Sequence, residues 1–334
     1  MYDKICDREN LLKAYRSARK GKGWQRKIQR VDKNLDKYID TLQQQLLDGT
    51  YKTSRYRTKT IYEPKERLIY ILPFYPDRIV HHAIMNVLEP IWDNLMYYHS
   101  YACRKGKGMH KGSKVCMEYT RKYKYVLKCD VSKFYPNVNH SILKEIIRNK
   151  IKDVRLLKLL DEIIDSAEGE TNVPIGNYLS QWFGNLYLNE LDSYIKQELN
   201  VVAYIRYCDD FVLFSNDKNE LKEWSRLIAS FLHDRLKLKL SKNNIFPVWQ
   251  GIDFLGYRHF PRKILVRKRT AKRTKRHIKE TMHLLRSGRI TKTQALSKVD
   301  SARGWLKHAQ TYNLCSSLNI NKIREEVLAF EEVQ

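Results

Sequence analysis

Two apolar runs enclose a pair of adjacent acids in Ala203-Tyr204-Ile205-Arg206-Tyr207-Cys208-Asp209-Asp210-Phe211-Val212-Leu213-Phe214-Ser215. Residues 201–205 and 211–214 are largely β-branched and aromatic, which predicts two short buried strands joined by a tight turn. Neighbouring carboxylates repel each other, and a divalent cation such as Mg²⁺, which prefers hard oxygen ligands, would neutralise them. The alternative is a solvated Asp-Asp turn, because short motifs also occur by chance.

The charge of the chain indicates a polyanionic partner. Its 334 residues include 63 Lys and Arg against 37 Asp and Glu, which gives a formal net charge of +26. A merely soluble surface would not need such one-sided charge, so nucleic acid is the first candidate partner. The length allows a sizeable core and more than one domain.

Cysteine spacing and hydropathy argue against several other classes. The six cysteines show neither zinc-ligand spacing nor a disulfide framework, which predicts a reduced, cytoplasmic protein. No apolar run approaches the roughly 18 residues of a membrane span, so we expect no membrane partner. The polar, charged N-terminus predicts that there is no signal peptide.

The N-terminal part of the chain changes character near residue 50. Apolar residues recur at helical spacing within residues 1–49, which predicts a basic helical extension that either touches nucleic-acid backbone or is only solvated. Residues 50–72 favour a β-hairpin with Lys59, Lys65 and Arg67 on or near it. Because Arg matches phosphate geometry in a bidentate way, these cations are candidates for binding an incoming triphosphate.

A second acid stands near the end of another predicted strand. The segment Tyr125–Val131 has the composition of a strand that carries Asp130, and we expect a helix to start at Asn139. Together with Asp209 and Asp210, Asp130 would complete the three-carboxylate cluster that two-metal phosphoryl transfer requires. The alternative is that Asp130 caps the following helix.

Two basic segments are candidates for contacting nucleic-acid phosphates. Residues 100–108 form a glycine-punctuated loop that lacks the spacing of an ATPase loop. Ten Lys and Arg and no acids lie in residues 262–279, and this run suits a helix along a template–primer backbone, the alternative being a disordered tail. The candidate phosphate-binding residues are Arg104, Lys105 and Lys107 in the loop and Arg267, Lys268, Arg269, Lys272, Arg273, Lys275 and Arg276 in the run.

These motifs, in this order, resemble those of a reverse transcriptase. Asp130 with Tyr135 at the fifth position after it is similar to motif A of the palm, and residues 207–210 are similar to motif C. The further similarities are the Arg67 hairpin to the fingers motif, residues 100–108 to the template-contacting segment, residues 238–242 to the motif D region and residues 254–257 to the primer grip. Ordered agreement of several motifs is far more specific than one match.

The resemblance implies an α+β right-hand polymerase fold, with fingers, a palm built on an antiparallel sheet with helices, and a helical thumb. The implied boundaries are 1–49 for the N-terminal extension, 50–123 for the fingers, 124–260 for the palm with a finger-connecting segment around 150–175, and 261–334 for the basic thumb. It also implies RNA-directed DNA polymerase activity, with template RNA, a primer or cDNA, and dNTPs as partners.

The resemblance assigns metal-binding and catalytic roles to individual residues. Asp130 and Asp209, with Asp210 beside them, would hold two Mg²⁺ ions, for which Mn²⁺ can substitute. Val131 would join the metal ligands and also contact the substrate. Lys242 would protonate the pyrophosphate leaving group, the alternative being a solvated surface lysine.

The resemblance also implies a substrate class. Tyr135, next to Phe134, would lie under the sugar of the incoming nucleotide and leave no room for a 2′-hydroxyl. This implies a preference for dNTPs and argues against an RNA-dependent RNA polymerase. The triphosphate would be bound by Arg67, and less directly by Lys65 or Lys59.

The segment Pro174-Ile175-Gly176-Asn177-Tyr178-Leu179-Ser180-Gln181 points to one subfamily. Group II intron and retroviral-type enzymes usually have Gln before this Gly and Pro after this Ser, whereas the chain has Ile175 and Gln181. This pattern is similar to that of reverse transcriptases from diversity-generating retroelements, which implies error-prone copying opposite template adenines. Ile175, Gly176 and Gln181 are therefore substrate-binding candidates, the alternative being neutral change at a packing position. We expect Ser180 in the N-cap region of the next helix.

The subfamily implies further partners and leaves alternatives open. Its members copy a template-repeat RNA for retrohoming and target-gene diversification, with a small accessory variability protein in oligomeric form as a partner. The first alternative is another bacterial reverse transcriptase of retron, group II-derived or abortive-infection type. The second is a non-catalytic RNA-binding protein on the same fold, against which the intact Asp130, Asp209 and Asp210 argue.

Overall fold

The computed structural model describes residues 1–62 and 66–330 and shows helices interspersed with short antiparallel strands, as the α+β prediction requires. Lys65 lies outside the described residues. The helices are α1 Tyr2–Cys6, α2 Arg8–Arg19, α3 Arg26–Asp32, α4 Leu35–Leu47, α5 Ile79–Leu95, α6 Met109–Lys122, α7 Phe134–Asn137, α8 His140–Lys150, α9 Val154–Asp165, α10 Tyr178–Ser193, α11 Lys218–Leu236, α12 Lys268–Arg286, α13 Lys292–Leu306, α14 Tyr312–Leu318 and α15 Ile320–Ala329. The strands are β1 Arg57–Ile61, β2 Arg67–Ile71, β3 Tyr125–Val131, β4 Tyr204–Tyr207, β5 Asp210–Ser215, β6 Leu240–Pro247, β7 Ile252–Phe254, β8 Tyr257–Phe260 and β9 Lys263–Val266.

The chain divides into two compact units. The first unit contains residues 1–104, 129–202 and 223–243, and the second contains residues 105–128, 203–222 and 244–334. The elements β3, α11 and β6 each begin in one unit and end in the other.

Helices α5 and α10 form the core of the first unit. Trp92 of α5 is fully buried, and its ring centroid lies 6.3 Å from that of Trp182 and 6.2 Å from that of Phe183, both on α10. Residues on nearly every side of α10 are buried, which is the pattern of a central helix. The predicted N-terminal helices are confirmed as α1–α4, and α1 and α2 pack directly on α5.

The predicted hairpin of the first unit is also confirmed, with a later start. β1 and β2 pair antiparallel, with Lys59 opposite Ile69 and Ile61 opposite Arg67. The strand begins at Arg57 and not near Tyr51, because Tyr51 is buried and its hydroxyl donates a hydrogen bond to Asp77. Tertiary burial has therefore overridden a local preference for strand.

The second unit contains a hairpin from a four-stranded sheet. The strands of this sheet stand in the order β4-β5-β3-β6, and β4 pairs antiparallel with β5. Helix α6 packs near this hairpin, since the ring of Tyr119 lies 5.6 Å from that of Phe214. The strands predicted at residues 201–205 and 211–214 are thus confirmed as β4 and β5, although β4 begins and ends later than predicted.

A separate three-stranded sheet follows within residues 252–266. β7, β8 and β9 form an antiparallel meander, and β9 lies in a segment that was expected to be helical. Leu255 and Gly256 join β7 to β8 with φ angles of +53° and +85°. Two successive positive φ angles are typical of the tight turn that suits a two-residue hairpin, which explains the glycine.

The C-terminal helices build their own apolar core within the second unit. Ile278, Met282 and Leu285 of α12 are buried together with residues of α13, α14 and α15. The basic run at 262–279, predicted to be helical, is confirmed from Lys268 onward as the first part of α12. Among the described helices, none is both long enough and apolar enough to span a membrane.

Candidate active site

The acidic pair lies at a tight turn between β4 and β5. Tyr207 pairs with Asp210, so Cys208 and Asp209 form a two-residue loop, and Asp210 is the first residue of β5. Cys208 has a φ of +52°. A positive φ at the first loop residue is what tight hairpin turns need, because it matches the twist of the flanking strands. The turn therefore holds the two acids in a fixed local geometry.

Arg206 supports this turn from inside the second unit. Its side chain is fully buried, and its Nη1 donates a hydrogen bond of 3.2 Å to the carbonyl of Cys208. A buried guanidinium is costly unless hydrogen bonds occupy its donors, so this arginine ties the loop backbone to the strand. No role was predicted for Arg206 from the sequence, although a lone arginine in an apolar strand, three positions before the first of two acids, was a usable signal.

Lys128 is a second functional candidate that the sequence analysis missed. Its Nζ lies 3.6 Å from Oδ1 of Asp210, and its side chain is only 13% exposed. The same amine donates a hydrogen bond to the carbonyl of Asp253. A largely desolvated cation at this distance lowers the repulsion between adjacent carboxylates.

Asp130 lies in the first unit and has its own partners. Oγ of Ser241 donates to Oδ2 of Asp130 at 2.9 Å and lies 3.1 Å from its backbone carbonyl. Nζ of Lys242, the predicted proton donor, lies 3.7 Å from the same Oδ2, and the two side chains are 51% and 21% exposed. The structure thus brings Asp130 and Lys242 together, and Asp130 accepts from Ser241 of β6 and does not cap the following helix. Asn139 is the residue that caps α8.

The three acids belong to different units, with Asp130 in the first and Asp209 and Asp210 in the second. In the part of the chain that the structure describes, no three His, Cys, Asp or Glu side chains are grouped closely enough to hold a metal ion. The three-carboxylate site therefore stays a prediction.

The aromatic pair after β3 is held from several sides. Lys133 has a φ of +42° and turns the chain into α7. Phe134 is buried, and its ring centroid lies 5.1 Å from that of Tyr135. The carbonyl of Tyr135 accepts a hydrogen bond of 2.9 Å from the backbone amide of Val173. The backbone at Tyr135 is thus anchored to the segment before α10.

The segment around Gly176 lies directly beside β2. The backbone amide of Tyr70 donates to the carbonyl of Ile175 at 2.8 Å. Gly176 has a φ of +118°, and a Cβ at this position would lie 2.6 Å from the carbonyl oxygen of Tyr70. Only glycine fits there. The half-buried Ile175 is therefore fixed against the strand that begins with the triphosphate-binding candidate Arg67.

The expected N-cap role of Ser180 is wrong. Helix α10 already begins at Tyr178, with Asn177 at its N-cap position. The buried Ser180 instead donates its hydroxyl hydrogen bond to the carbonyl of Pro174 at 2.7 Å. It therefore satisfies a loop carbonyl on the stretch that leads to Ile175.

A cavity of about 220 Å³ lies next to Gln181 in the first unit, and Lys22, Arg78 and His82 line it. Burial and the neighbouring Arg78 lower the pKa of Lys22. Burial also lowers the pKa of His82 to about 4, so its ring is neutral near pH 7. Arg78 and His82 could not be singled out from the sequence, because Lys22 lies 56 positions before Arg78 and approaches it only in the fold.

The residues predicted to contact nucleic acid differ in how exposed their side chains are. Arg104 is only 5% exposed; its guanidinium binds Asp93 at 2.6 Å and the carbonyls of Tyr97 and Ser100, so it holds its own loop together. Arg267 forms an ion pair with Asp253. Lys105 and six basic residues on α12 are exposed. The six exposed candidates on α12 are Lys268, Arg269, Lys272, Arg273, Lys275 and Arg276.

The segment that resembles a primer grip is held by α13, within the second unit. The rings of Tyr257 and Trp305 stack at 4.5 Å, and the Tyr257 hydroxyl donates to the Trp305 carbonyl at 3.0 Å. A Cβ on Gly256 would lie 2.9 Å from the Trp305 ring. The absence of a side chain at Gly256 therefore lets Trp305 lie against this turn.

His259 of β8 is a buried neutral base beneath this segment. Its Nε2 lies 2.7 Å from Oγ of Ser113 on α6, and its Nδ1 lies 3.3 Å from the carbonyl of Ile252. The carbonyl can only accept, so Nδ1 carries the proton and Nε2 accepts from the serine. Burial lowers the pKa of His259 to about 4.

This pKa predicts a loss of stability in acid. A histidine in the unfolded chain has a pKa of about 6.5, whereas that of His259 in the folded chain is about 4. Between these pH values the unfolded chain binds a proton at His259 and the folded chain does not. We expect His259 to lower the free energy of unfolding by about 3 kcal/mol as the pH falls through this window. Urea titrations at pH 7 and pH 4.5 should show a weaker pH dependence for His259→Gln. The exposed His283→Gln is the control, and an equal pH dependence in all three proteins would contradict the assignment.

Comparisons with known proteins show the family to which the chain is similar. The model of the reverse transcriptase (RNA-dependent DNA polymerase) family matches residues 57–259, more than half of the chain. Protein YkfC of Escherichia coli (strain K12) is 27% identical over 280 residues, which cover 70% of this chain and 72% of that protein. Group II intron-encoded protein LtrA of Lactococcus lactis subsp. cremoris is 23% identical and covers 74% of this chain, which spans 54% of the length of LtrA.

A solved structure supports the fold independently. The telomerase of Candida albicans, in complex with a TWJ fragment of telomeric RNA, aligns with a TM-score of 0.53 and 13% identity, over 85% of this chain and 56% of that chain. This likeness concerns the fold alone, and it confirms the predicted polymerase fold. The chain therefore belongs to the reverse transcriptase family of RNA-dependent DNA polymerases.

Proposed function

We propose that the chain copies a template-repeat RNA into adenine-mutagenised cDNA, as the reverse transcriptase of a diversity-generating retroelement. The family supplies the RNA-directed DNA polymerase reaction. The finer assignment is carried by one observation, the position of Ile175 where related enzymes usually have Gln. The hydrogen bond between the Tyr70 amide and the Ile175 carbonyl supports it, because it fixes this residue beside the β1–β2 hairpin.

The physical argument concerns selectivity. An amide side chain next to the templating pair makes hydrogen bonds that favour one geometry, and an isoleucine makes none. Discrimination between right and wrong nucleotides is a difference between two binding free energies, so losing a polar contact that only the right pair satisfies lowers that difference. Gly176 allows no side chain to replace the contact, because any Cβ would strike the Tyr70 carbonyl.

Asp130, Asp209 and Asp210 would hold the divalent ions. Reverse transcriptases as a family use divalent metal ions, and we propose two Mg²⁺, with the Val131 backbone as a further contact. The donor chemistry fits, since carboxylates are hard oxygen ligands, and amines of Lys128 and Lys242 lie within 4 Å of the carboxylates of Asp210 and Asp130. When bound, such ions lower the pKa of an attacking hydroxyl and stabilise charge on the attacking and leaving oxygens.

Residues around these acids would hold the turn, offset its negative charge, protonate the leaving group and bind the triphosphate. Arg206 keeps the acidic turn in place through the Cys208 carbonyl. Lys128 offsets the charge of Asp210. Lys242, which is half-exposed beside Asp130, would protonate the departing pyrophosphate. Arg67 at the start of β2 would bind the triphosphate in a bidentate way.

The remaining proposed contacts are with the nucleotide sugar, the triphosphate and the template–primer backbone. Tyr135, beside Phe134, would exclude the 2′-hydroxyl of a ribonucleotide. Lys59 on β1 would assist triphosphate binding, and Gln181 would contact the substrate from the first turn of α10. The exposed basic residues of α12 would follow the template–primer backbone without reading sequence.

We also propose an oligomeric accessory variability protein as a partner. A group II-derived reverse transcriptase is the second candidate function, and the similarity to LtrA favours it. The two differ in fidelity: the first should misincorporate opposite template adenine, and the second should not.

The test is a substitution that restores the amide. Ile175→Gln should lower misincorporation opposite template adenine by roughly tenfold, because a difference of about 1–3 kcal/mol in selectivity is typical of one such contact. The measurement is deep sequencing of cDNA made by the purified protein on an RNA template. Ile175→Leu is the matched control and should keep the wild-type error spectrum. High fidelity in the wild type, or an unchanged spectrum in Ile175→Gln, would reject the subfamily assignment.

A further inference from the structure

Gly184 occupies an unexpected position in the middle of α10. This 16-residue helix is buried over most of its length. Glycine is among the least favourable residues for a helix interior, since it loses the most backbone freedom on folding. Its backbone is not in the left-handed region, so its conformation does not require glycine. Glycine is therefore explained here by its lack of a side chain, because neighbouring groups leave little room for a Cβ.

The space at Gly184 is occupied by the aromatic pair of α7. A Cβ on Gly184 would lie 3.0 Å from Cε1 of Phe134, 3.1 Å from Cε1 of Tyr135 and 3.4 Å from the Tyr135 hydroxyl oxygen. The first two distances are tighter than ordinary carbon contacts. The two rings thus lie directly on the bare backbone of α10.

The rings have little freedom to avoid an added methyl group. Phe134 is only 3% exposed, and its ring also packs 6.5 Å from that of Tyr187 on α10. The backbone of Tyr135 is held by the hydrogen bond from Val173. Tyr135 is the less buried of the two rings, so the strain would fall on it and move it away from α10.

We propose that Gly184 is a positioning residue that sets how far the Tyr135 ring projects into the site of the nucleotide sugar. This inference rests on the proposed role of Tyr135 as the residue under that sugar. A methyl group at position 184 would push the ring toward the deoxyribose without touching the triphosphate or the acids. It would therefore weaken dNTP binding more than it slows the chemical step.

The test is Gly184→Ala in single-nucleotide incorporation on an RNA template–primer. We expect the KM for dNTP to rise roughly fivefold while kcat changes by less than about twofold. In a Tyr135→Ala background the same substitution should leave KM unchanged, because the displaced ring is gone. Gly304→Ala is the matched control, since Gly304 is also helical and a Cβ there would meet nothing within 4 Å.

Two outcomes would overturn this inference: an unchanged KM in Gly184→Ala, or an equal rise in KM in the Tyr135→Ala background. If Gly184→Ala folds poorly, Gly184→Ala with Phe134→Leu makes room beside the helix. This double variant relieves the contact with Phe134 and keeps the 3.1 Å contact with Tyr135. Its KM should therefore stay roughly fivefold above that of Phe134→Leu alone, and an equal KM in the two would count against the proposal. Failure of the proposed function would give another result. The wild-type protein would then be inactive, or Tyr135→Ala would not change sugar selectivity.

Discussion

Asp209→Asn should reduce dNTP incorporation by at least about a thousandfold in primer extension with Mg²⁺. Asparagine keeps the size of the side chain and one acceptor oxygen but removes the charge that binds a divalent ion. The loop itself should stay in place, because Arg206 holds the Cys208 carbonyl and Tyr207 pairs with Asp210. The loss should therefore lie in catalysis and not in folding.

Two measurements separate these possibilities. Fluorescence anisotropy with a labelled RNA–DNA duplex should show unchanged or slightly tighter binding, since the substitution removes a negative charge from a chain of net charge +26. Asp217→Asn is the control for charge, because Asp217 is exposed and its carboxylate only accepts from the Asn219 amide. Synthesis at the wild-type rate by Asp209→Asn would refute the metal assignment.

Tyr135→Ala should raise the use of ribonucleotides relative to deoxyribonucleotides by roughly a hundredfold. In the proposed role, the ring would fill the space where a 2′-hydroxyl stands, and steric exclusion of one hydroxyl is worth about that factor. Its backbone is anchored by Val173, so truncation should open this space without moving the chain. The measurement is the ratio of kcat/KM for each rNTP and its dNTP.

The matched control is Tyr135→Phe. It keeps the ring and removes only the hydroxyl, so sugar selectivity should stay within about threefold of the wild type. Unchanged selectivity in Tyr135→Ala would show that another residue excludes ribonucleotides.

The strands around the acids could be predicted because their signals are local. Alternating and β-branched residues in β3, β4 and β5 indicate strands whatever surrounds them. The reverse transcriptase motifs are also local, and their order along the chain needs no structure. The prediction failed for Ser180, because its hydroxyl serves a distant carbonyl and not the helix end, and for β9, which lies within a basic run.

The supporting residues could not be predicted because their roles depend on the fold. Lys128 meets Asp210 across 82 positions of sequence. Arg104 has the sequence context of an exposed phosphate contact, yet its guanidinium is buried against Asp93 and loop carbonyls. The close packing of Tyr135 on Gly184 could not be predicted either. In the sequence, Gly184 is only a glycine within a predicted helix, and nothing near it indicates a neighbouring ring.

Metal-directed cleavage tests the central claim most directly. Fe²⁺ replaces Mg²⁺ in the complex with an RNA template, a dideoxy-terminated primer and the next dNTP, and ascorbate with peroxide then cuts the backbone near the bound ion. The account predicts cuts in two segments, one around Asp130 and one around residues 209–210, and the loss of both cuts in Asp209→Asn. Cuts confined to one of these segments, or unaffected by Asp209→Asn, would contradict a shared metal site.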